Sequence, residues 1–587
     1  MVVGCIVFAW LLVAQLLVPS LIESAYRGHA VPILGRLSHW SKPLEYYQNF
    51  WNRIAWPVLP VLIVAAVVAL SHPGRRPLTL LLAVLFVATE IQLLAVYNRA
   101  ILDDENITLL QTAGNVNPSW PRAPARAGVT KRFFRGSPPL SSIIENLRKR
   151  DVHPPVYSVL LACWRRLFGF SLETARMFSV SCTLASIIGL YLLLRAGRAE
   201  RPHISLLVYS LSAVAPCFGS LARNYALATL LIVVAALAAF LAAKRIEQGR
   251  VGAALALAAA TACGMAFQTN YLSLFPAGVI LIWLSARIWR RRRMLALVSP
   301  FLAFAIGSVG WSVLHSQLGA RPDQAAGFEG WPAEILSLLQ SNADLLFSPV
   351  FVLTRAMGWG VVLLLCALVL ACLYGLTRTW RTADRSFWIL ILGLSFAPSV
   401  GLALLDHKFD KSLSVASYYI GFAGPFLAVV ASRVIAVGID TSKRWAALGL
   451  FGLVVLVQLN GTNWAYEQGP MIGNVGHYRT LARMVRESAS PGQIVLVDRG
   501  LGLTTGGAVL YELDPEALVS SFELRNEGEE AWATVRSFSD VWVWLSEQAP
   551  PEPQEAFLRR FHDSGLYSVR ERKLPWVYRF RRRAPGG

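Results

Sequence analysis

The sequence has little charge, and acidic residues are especially few. Of its 587 residues only 15% are charged, and 35 Asp and Glu stand against 55 Lys and Arg, for a formal net charge of +20. Soluble globular proteins carry about 25% charged residues, so this composition argues against a chain built only of soluble domains. The basic residues are scattered between apolar segments rather than gathered on one face, which argues against nucleic acid as a partner.

Cysteine motifs and internal repeats are also absent from the sequence. The seven cysteines all lie in apolar stretches, and no two of them form a Cys-x-x-Cys pair. We therefore interpret them as small apolar packing residues rather than as disulfides or metal ligands. No repeat of about 20–50 residues is found, which argues against a solenoid.

Long apolar runs are what the sequence does contain. Hydrophobic residues make up 55% of the chain, and apolar runs recur from the N-terminus to about Leu459. Runs of about 17–25 such residues are typical of transmembrane helices. The sequence therefore predicts an all-α polytopic membrane domain of about 13 spans: 1–22, 54–71, 77–97, 175–194, 204–221, 225–243, 251–268, 271–286, 295–314, 357–376, 387–405, 417–437 and 445–459.

The composition changes after Leu459, which predicts a domain boundary. Residues 461–587 mix charges, turns and short apolar alternations, as a small soluble α/β domain does. Helical spacing is found at 478–487, and strands are predicted at 493–497, 540–545 and 566–570. We interpret the glycines at 500–507 as a turn, since they do not form a Gly-x-Gly-x-x-Gly motif. Residues 1–75 would then be extra N-terminal spans, and 76–460 the main membrane domain with an outer loop at 99–153.

The basic residues between spans predict the orientation. Cytoplasmic loops of membrane proteins collect Lys and Arg, and the loops at 244–250, 290–293, 378–385 and 443–444 are all basic. These assignments put the loop 99–150 and the C-terminal domain outside, in the multi-pass topology of a bacterial inner-membrane protein. They also require that the apolar stretch 153–168 lies against the outer leaflet instead of crossing it.

Three consecutive acidic residues follow the third predicted span. Asp103, Asp104 and Glu105 stand where the chain would leave the membrane. Acidic residues favour the first turn of a helix, but one would be enough for that. A cluster is also typical of a general base or of a site for a divalent cation.

The rest of the outer loop is basic, against the usual tendency for outer loops. Its cations are candidates for binding a lipid phosphate, although long loops also escape the rule: Arg122, Arg126, Lys131, Arg132, Arg135, Arg148, Lys149 and Arg150. His153 ends this loop. Arg223 separates two spans, and a charge at bilayer depth costs about 2.5–3.5 kcal/mol, so we expect it to have a partner or a function.

The order of these motifs resembles a known group. The matching residues are Asp104-Glu105, the His-Pro-Pro-Val-Tyr run from His153 to Tyr157, the Leu-Phe-Gly run ending at Gly169, Arg176, and the Ala-Arg-Asn-Tyr-Ala-Leu run from Ala222 to Leu227. Together they resemble the bacterial C-type-fold membrane glycosyltransferases, the class that includes protein O-mannosyltransferases and the aminoarabinose transferases of lipid A. The sequence departs from the group at Lys411 and Tyr418-Tyr419, where an Arg-Tyr pair is common.

The resemblance implies a sugar donor, an acceptor and a mechanism. The donor would be a polyprenyl-phosphate sugar, and the acceptor a glycan, lipid or protein of the cell envelope. Asp104 would be the general base of an inverting displacement, with Asp103 and Glu105 orienting the acceptor or binding a divalent cation. The donor phosphate would be bound by His153, Arg223, Tyr225 and Lys411. No cofactor is certain.

Two other classes of protein stay open at this point. An oligosaccharide ligase or polymerase would have similar parts and a longer donor. A flippase or transporter of lipid-linked sugars is also polytopic, but transporters often show internal repeats and polar residues at the membrane midplane. The polar residues singled out here cluster on one side of the predicted membrane, which favours an enzyme.

Overall fold

The computed structural model describes most of the chain beyond residue 76. The described residues are 77–115, 118, 120–150, 153–212, 214–309, 330–347, 385–409, 417–439, 445–452, 454–455, 458, 475–488, 490, 492–498, 503–545, 551–574 and 577–583. The predicted spans 1–22, 54–71 and 357–376 lie outside these residues, and so does Lys411.

Helices dominate the described residues. They are α1 Pro77–Asn98, α2 Asp103–Thr112, α3 Ala127–Lys131, α4 Leu140–Arg150, α5 Pro155–Phe168, α6 Leu172–Ala196, α7 Pro202–Leu211, α8 Tyr225–Glu247, α9 Ala253–Phe267, α10 Leu274–Ile288, α11 Arg293–Ser308, α12 Trp331–Phe347, α13 Arg385–Phe409, α14 Gly424–Ile439, α15 Val475–Ser488, α16 Leu503–Glu512, α17 Leu524–Val535 and α18 Pro551–Asp563. The strands are β1 Ala125–Arg126, β2 Gln493–Asp498, β3 Leu518–Phe522, β4 Asp540–Trp544, β5 Tyr567–Leu574 and β6 Val577–Arg582.

Six helical segments in the described part of the chain are long and apolar enough to cross a membrane. They are Leu78–Tyr97, Leu172–Ala196, Tyr225–Glu247, Tyr271–Ile288, Arg385–Lys408 and Tyr419–Ile439. Each coincides with a predicted span. The predicted spans at 251–268 and 295–314 correspond to shorter apolar helices, α9 and α11. The total of about 13 spans stays a prediction.

The predicted span 204–221 is interrupted. Helix α7 has ten residues, and a π-helical turn follows at Val214–Phe218. Pro216 in this turn has no backbone N–H and cannot continue a regular α-helical ladder. Helix α12 was not predicted, because Glu334, Asn342 and Asp344 break its apolar pattern.

The chain divides into two compact units, each with its own packing. The first is Met1–Tyr97, Val152–Val156 and Ser179–Tyr466, called the helical unit below. The second is Asn98–Asp151, Tyr157–Phe178 and Glu467–Gly587, called the loop–sheet unit. The outer loop, predicted as part of the membrane domain, thus packs with the C-terminal segment.

A six-stranded mixed sheet organises the loop–sheet unit, with the strand order β1-β3-β2-β4-β6-β5. β3, β2 and β4 are parallel, and the other pairs are antiparallel. The predicted strands at 493–497, 540–545 and 566–570 correspond to β2, β4 and β5. Its core buries apolar side chains of β2, β4 and β6 with those of α17 and α18, and Phe561 stacks on Phe580 at 4.0 Å between ring centroids.

The outer loop completes this sheet at one edge. Ala125 and Arg126 pair with Val519 and Leu518 of β3. The Ser521 N–H donates to the Pro121 carbonyl at 2.7 Å, and the Ala127 N–H donates to the Ala517 carbonyl at 2.8 Å. A pairing of such short strands is not readable from the sequence, because it joins segments almost 400 residues apart.

The glycines at 506–507 lie in a helix and not in a turn. Gly507 is buried in α16, and a Cβ atom built there would come within 2.7 Å of the Asn106 side chain and 3.0 Å of the Trp120 ring. The lack of a side chain at residue 507 therefore allows α16 to approach α2. Our interpretation of Gly506 and Gly507 as part of a turn was therefore wrong, whereas Gly500 and Gly502 lie outside the described residues.

Candidate functional site

Glu105 is the central acid of the loop–sheet unit. Its carboxylate is fully buried and accepts two hydrogen bonds from Arg176, at 2.8 Å from Nε and 2.6 Å from Nη2. The backbone N–H of Leu102 donates to it at 3.1 Å, and Arg99 approaches it at 3.8 Å. A bidentate Arg–carboxylate pair of this kind is strong and sets the orientation of both groups.

Arg176 also fixes the backbone that leads into α2. Its guanidinium donates to the carbonyls of Arg99 and Ala100, each at 2.8 Å. Glu105 in turn accepts from the N–H of Leu102. The Arg176–Glu105 pair therefore bonds the backbone at residues 99, 100 and 102, directly before α2. The first turn of α2, which carries the acidic cluster, is therefore held on a rigid support.

Asp103 and Asp104 occupy the first two positions of α2. Asp104 is half-buried, and its backbone carbonyl accepts a hydrogen bond from the Thr108 hydroxyl at 3.1 Å. Among the described residues, no group of three or more His, Cys, Asp and Glu is arranged to hold a metal ion. Because nitrogen donors already engage both oxygens of Glu105, a metal site built on it would require breaking the pair with Arg176. Cation binding by Asp103 and Glu105 stays a prediction.

His153 and Arg223 come together in the helical unit. Nη2 of Arg223 lies 3.2 Å from Nε2 of His153, and Arg223 is only 6% exposed. A guanidinium has no acceptor, so Arg223 donates and His153 accepts through an unprotonated nitrogen. These residues are 70 positions apart in the sequence, and the structure brings them into contact.

Polar side chains and backbone bonds support this pair. The N–H of Val156 donates to the Gln268 carbonyl at 3.2 Å, and the Asn224 amide donates to the Thr269 carbonyl at 2.9 Å. These bonds bring the starts of α5 and α8 to the end of α9. Sequence reasoning missed Gln268 and Thr269, which follow α9. Their only signal in the sequence was a polar run between two apolar segments.

Tyr225, the fourth candidate for phosphate binding, is the first residue of α8. It is 5% exposed, and its ring packs against that of Phe218 with the centroids 5.8 Å apart. The positive end of the dipole of α8, a helix of 23 residues, lies beside Arg223. Arg223, His153 and this helix end together favour an anion.

Much of the basic loop forms ordinary surface ion pairs. Arg126 bonds Glu516 at 2.9 Å with both side chains largely exposed, and Lys149 bonds Glu145 at 3.0 Å one helical turn away. Surface pairs of this kind contribute little to stability. Lys131 is half-buried, and burial lowers the pKa of its ammonium group.

A buried arginine that sequence reasoning did not single out ties the loop together. Arg165 is 1% exposed and donates to the carbonyls of Leu109, Phe134 and Phe170 and to the Thr112 hydroxyl. Its only signal in the sequence was the interruption of an apolar stretch. The helix that carries it, α5, has 14 residues and is about 21 Å long, shorter than the hydrocarbon core of a bilayer.

The sequence also matches a family model. Residues 152–312 match the family described as dolichyl-phosphate-mannose-protein mannosyltransferase, and this segment contains His153, Arg176 and Arg223. The match confirms the resemblance predicted from the motifs. No curated protein sequence is significantly similar to it.

Several solved structures are distantly similar. ArnT from Cupriavidus metallidurans in the apo state is 12% identical over 81% of this chain and 95% of its own, with a TM-score of 0.40. The oligosaccharyltransferase of Archaeoglobus fulgidus with a tethered acceptor peptide is 10% identical over 86% of this chain and 74% of its own, with a TM-score of 0.41. Mycobacterial arabinofuranosyltransferase AftD is 14% identical over 86% of this chain and 40% of its own, with a TM-score of 0.38. TM-scores this low carry no argument, so the resemblance rests on the sequence match.

Proposed function

We propose that this glycosyltransferase moves a sugar from a polyprenyl-phosphate carrier to a cell-envelope acceptor on the outer face of the bacterial inner membrane. The observation that carries the proposal is the contact between the buried Arg223 and the half-buried His153, inside the segment that matches the family model. Arg223, His153 and the N-terminal end of α8 together form a site suited to an anion, and a lipid phosphate is one.

The enzyme would bind the donor through its phosphate, and the polyprenyl phosphate would also be the leaving group of the reaction. When the bond from the anomeric carbon to the phosphate oxygen breaks, negative charge develops on that oxygen. Arg223 at the start of α8 would stabilise this charge, and His153 would orient the guanidinium through the 3.2 Å contact. Tyr225 and Lys411 keep their proposed roles in phosphate binding.

Asp104 is proposed as the general base. Both oxygens of Glu105 are taken by Arg176 and a backbone N–H, which makes Glu105 a poor acceptor for a substrate proton. Asp104 is half-buried and immediately precedes Glu105 in the helical turn that the pair with Arg176 holds. It would take the proton of the acceptor hydroxyl as that oxygen attacks the anomeric carbon, and a single displacement of this kind inverts the configuration.

The experiment is a transfer assay with the purified full chain in detergent. Radiolabelled polyprenyl-phosphate sugars would be offered with a crude pool of envelope glycans, lipids and proteins, and label in the acceptor pool would be measured. Transfer dependent on the enzyme is the expected result. If no donor supports transfer, while the chain in liposomes moves the lipid-linked sugar across the bilayer, the proposal is wrong and a flippase is the better description.

A further inference from the structure

A pocket of about 670 Å³ lies entirely within the loop–sheet unit. This volume is in the range of ligand-binding pockets, about 300–1,000 Å³. The pocket is bordered by residues of α3, by the chain between α5 and α6, and by residues of α15 and α16. Nothing in the proposed mechanism so far uses it.

The charge of the lining is positive. Three cations, Lys131, Arg135 and Arg479, stand against two carboxylates, Glu173 and Glu512. Glu512 is already engaged, because one oxygen accepts from the Ile101 N–H at 2.8 Å and the other from Nε of Arg479 at 3.1 Å. Among the lining residues, Lys131 and Arg135 then stand against one further carboxylate, Glu173, and Lys131 also lies near enough to Glu512 and Asp514 for their charges to act on it.

A further positive charge lies directly behind the residues that line the pocket. Arg165 donates to the carbonyls of Phe134 and Phe170, two residues that line the pocket. Burial lowers the pKa of Arg165 to about 10, so the guanidinium stays charged at neutral pH. No carboxylate in the described part of the chain forms an ion pair with it.

Aromatic rings give the pocket a second property. Phe170 and Tyr511 line it, and the Lys131 ammonium lies 5.7 Å from the centroid of the Tyr511 ring. The Leu172 N–H donates to the Tyr511 hydroxyl at 3.3 Å, which fixes the ring. Aromatic faces offer rigid apolar area against which the C–H faces of a sugar ring pack. Cations and aromatic rings in one pocket fit a sugar that carries an anionic group.

We infer that this pocket binds the acceptor, and that the acceptor is a saccharide bearing a phosphate or a carboxylate. The inference rests on the proposed function. The pocket is linked to the acidic cluster through Glu512, which bonds Ile101 three residues before Asp104. Three residues span at most about 11 Å, so an acceptor whose anionic group is held by Lys131, beside Glu512, lies within reach of the proposed base.

Binding of small probes to the full chain in detergent tests the inference. Titration calorimetry would compare methyl glucoside 6-phosphate with uncharged methyl glucoside. The phosphorylated sugar is expected to bind at least about tenfold more tightly, and Lys131→Gln is expected to remove most of that preference, because a hydrogen bond to a charged group is lost. Arg559→Gln, at an exposed arginine on α18 of the same unit, is the control and should change nothing. Equal affinity for the two sugars, or no effect of Lys131→Gln, would overturn the inference.

Two further arms separate the sources of failure. If a short polyprenyl phosphate displaces the sugar phosphate, the pocket belongs to the donor and the acceptor assignment is wrong. If the wild type transfers sugar to the crude pool but binds no anionic sugar, the inference fails while the proposed function stands. If it binds the sugar phosphate but transfers from no donor, the proposed function fails and the pocket is still an anionic-sugar site.

Discussion

Arg176 donates two hydrogen bonds to Glu105, of 2.8 Å and 2.6 Å, and both side chains are fully buried. The pair joins the start of α6 to the start of α2, although 71 residues separate the two in the chain. Glu105 is the third residue of α2 and Asp104 is the second. The contact with Arg176 therefore also holds the turn of backbone that carries Asp104.

Replacing Arg176 by Met should destabilise the loop–sheet unit strongly. The change leaves Glu105 buried without its main partner and frees the carbonyls of Arg99 and Ala100. Loss of one member of a buried pair typically costs about 3–5 kcal/mol. Unfolding of the purified chain in denaturant would measure the loss. The double variant Glu105→Gln/Arg176→Met should recover part of it, since it removes the buried carboxylate charge that has lost its main partner.

A matched surface pair gives the control for that measurement. Arg559 and Glu555 bond at 3.0 Å one turn apart on α18, with both side chains mostly exposed. Arg559→Met should leave the unfolding midpoint unchanged. Equal losses for Arg176→Met and Arg559→Met would contradict the role given to the buried pair.

Replacing Arg223 by Gln should slow the chemical step more than it weakens donor binding. If Arg223 stabilises charge that develops on the leaving phosphate, kcat should fall by about 10²–10³ while KM for the donor changes less. Arg433→Gln is the control: this arginine is also buried in the helical unit, but it bonds Glu200 at 2.9 Å and lies over the Trp388 ring. A fall in kcat of the same size in Arg433→Gln would show that Arg223 acts only through stability.

Replacing Gly507 by Ala should loosen the contact between α16 and α2. The new methyl group would come within 2.7 Å of the Asn106 amide, and overpacking of this kind costs about 1–3 kcal/mol. Gly278→Ala, in helix α10, is the control, because its added Cβ meets nothing within 4 Å. Thermal unfolding of the two variants would be compared. A drop in the midpoint for Gly278→Ala, or none for Gly507→Ala, would contradict the packing described here.

Tyr511 predicts a pH dependence of stability at alkaline pH. Burial raises the pKa of this phenol to about 12, whereas in the unfolded chain it is about 10. The folded state therefore keeps a proton that the unfolded state has lost. The stabilisation is fully present below about pH 10 and is lost as pH rises through about 12. Tyr511→Phe should reduce the fall in the free energy of unfolding over this window. An unchanged pH profile would show that the phenol does not titrate as described.

The sequence allowed long elements to be predicted more safely than short ones. The apolar runs around α8 and α13 are long enough that length and hydropathy alone indicate helices. β2 follows the turn at Gly492, whose φ of +74° suits a glycine, and its apolar run indicates a buried strand. β1 has two residues and exists only because β3 offers it an edge, so no local signal predicts it.

The same division applies to the candidate site. The motif order pointed to His153 and Arg223, and the structure joins them. It also pointed to Glu105 and Arg176, but not to the contact between them. A bidentate contact depends on where α6 begins relative to α2, which the order of motifs does not give. Arg165 and Lys131 could not be ranked above other basic residues of the sequence, since their distinction is burial, which is set by tertiary packing.

The most direct test of the central claim is the transfer rate of Asp104→Asn, measured with its unfolding midpoint. The substitution removes the proposed base but not the pair of Glu105 with Arg176, so the midpoint should stay at the wild-type value. A missing general base typically costs about 10²–10⁴ in rate, and transfer from the polyprenyl-phosphate sugar should fall by at least the lower figure. Transfer near the wild-type rate by a folded Asp104→Asn would contradict the account, because Asp104 would then not be the base.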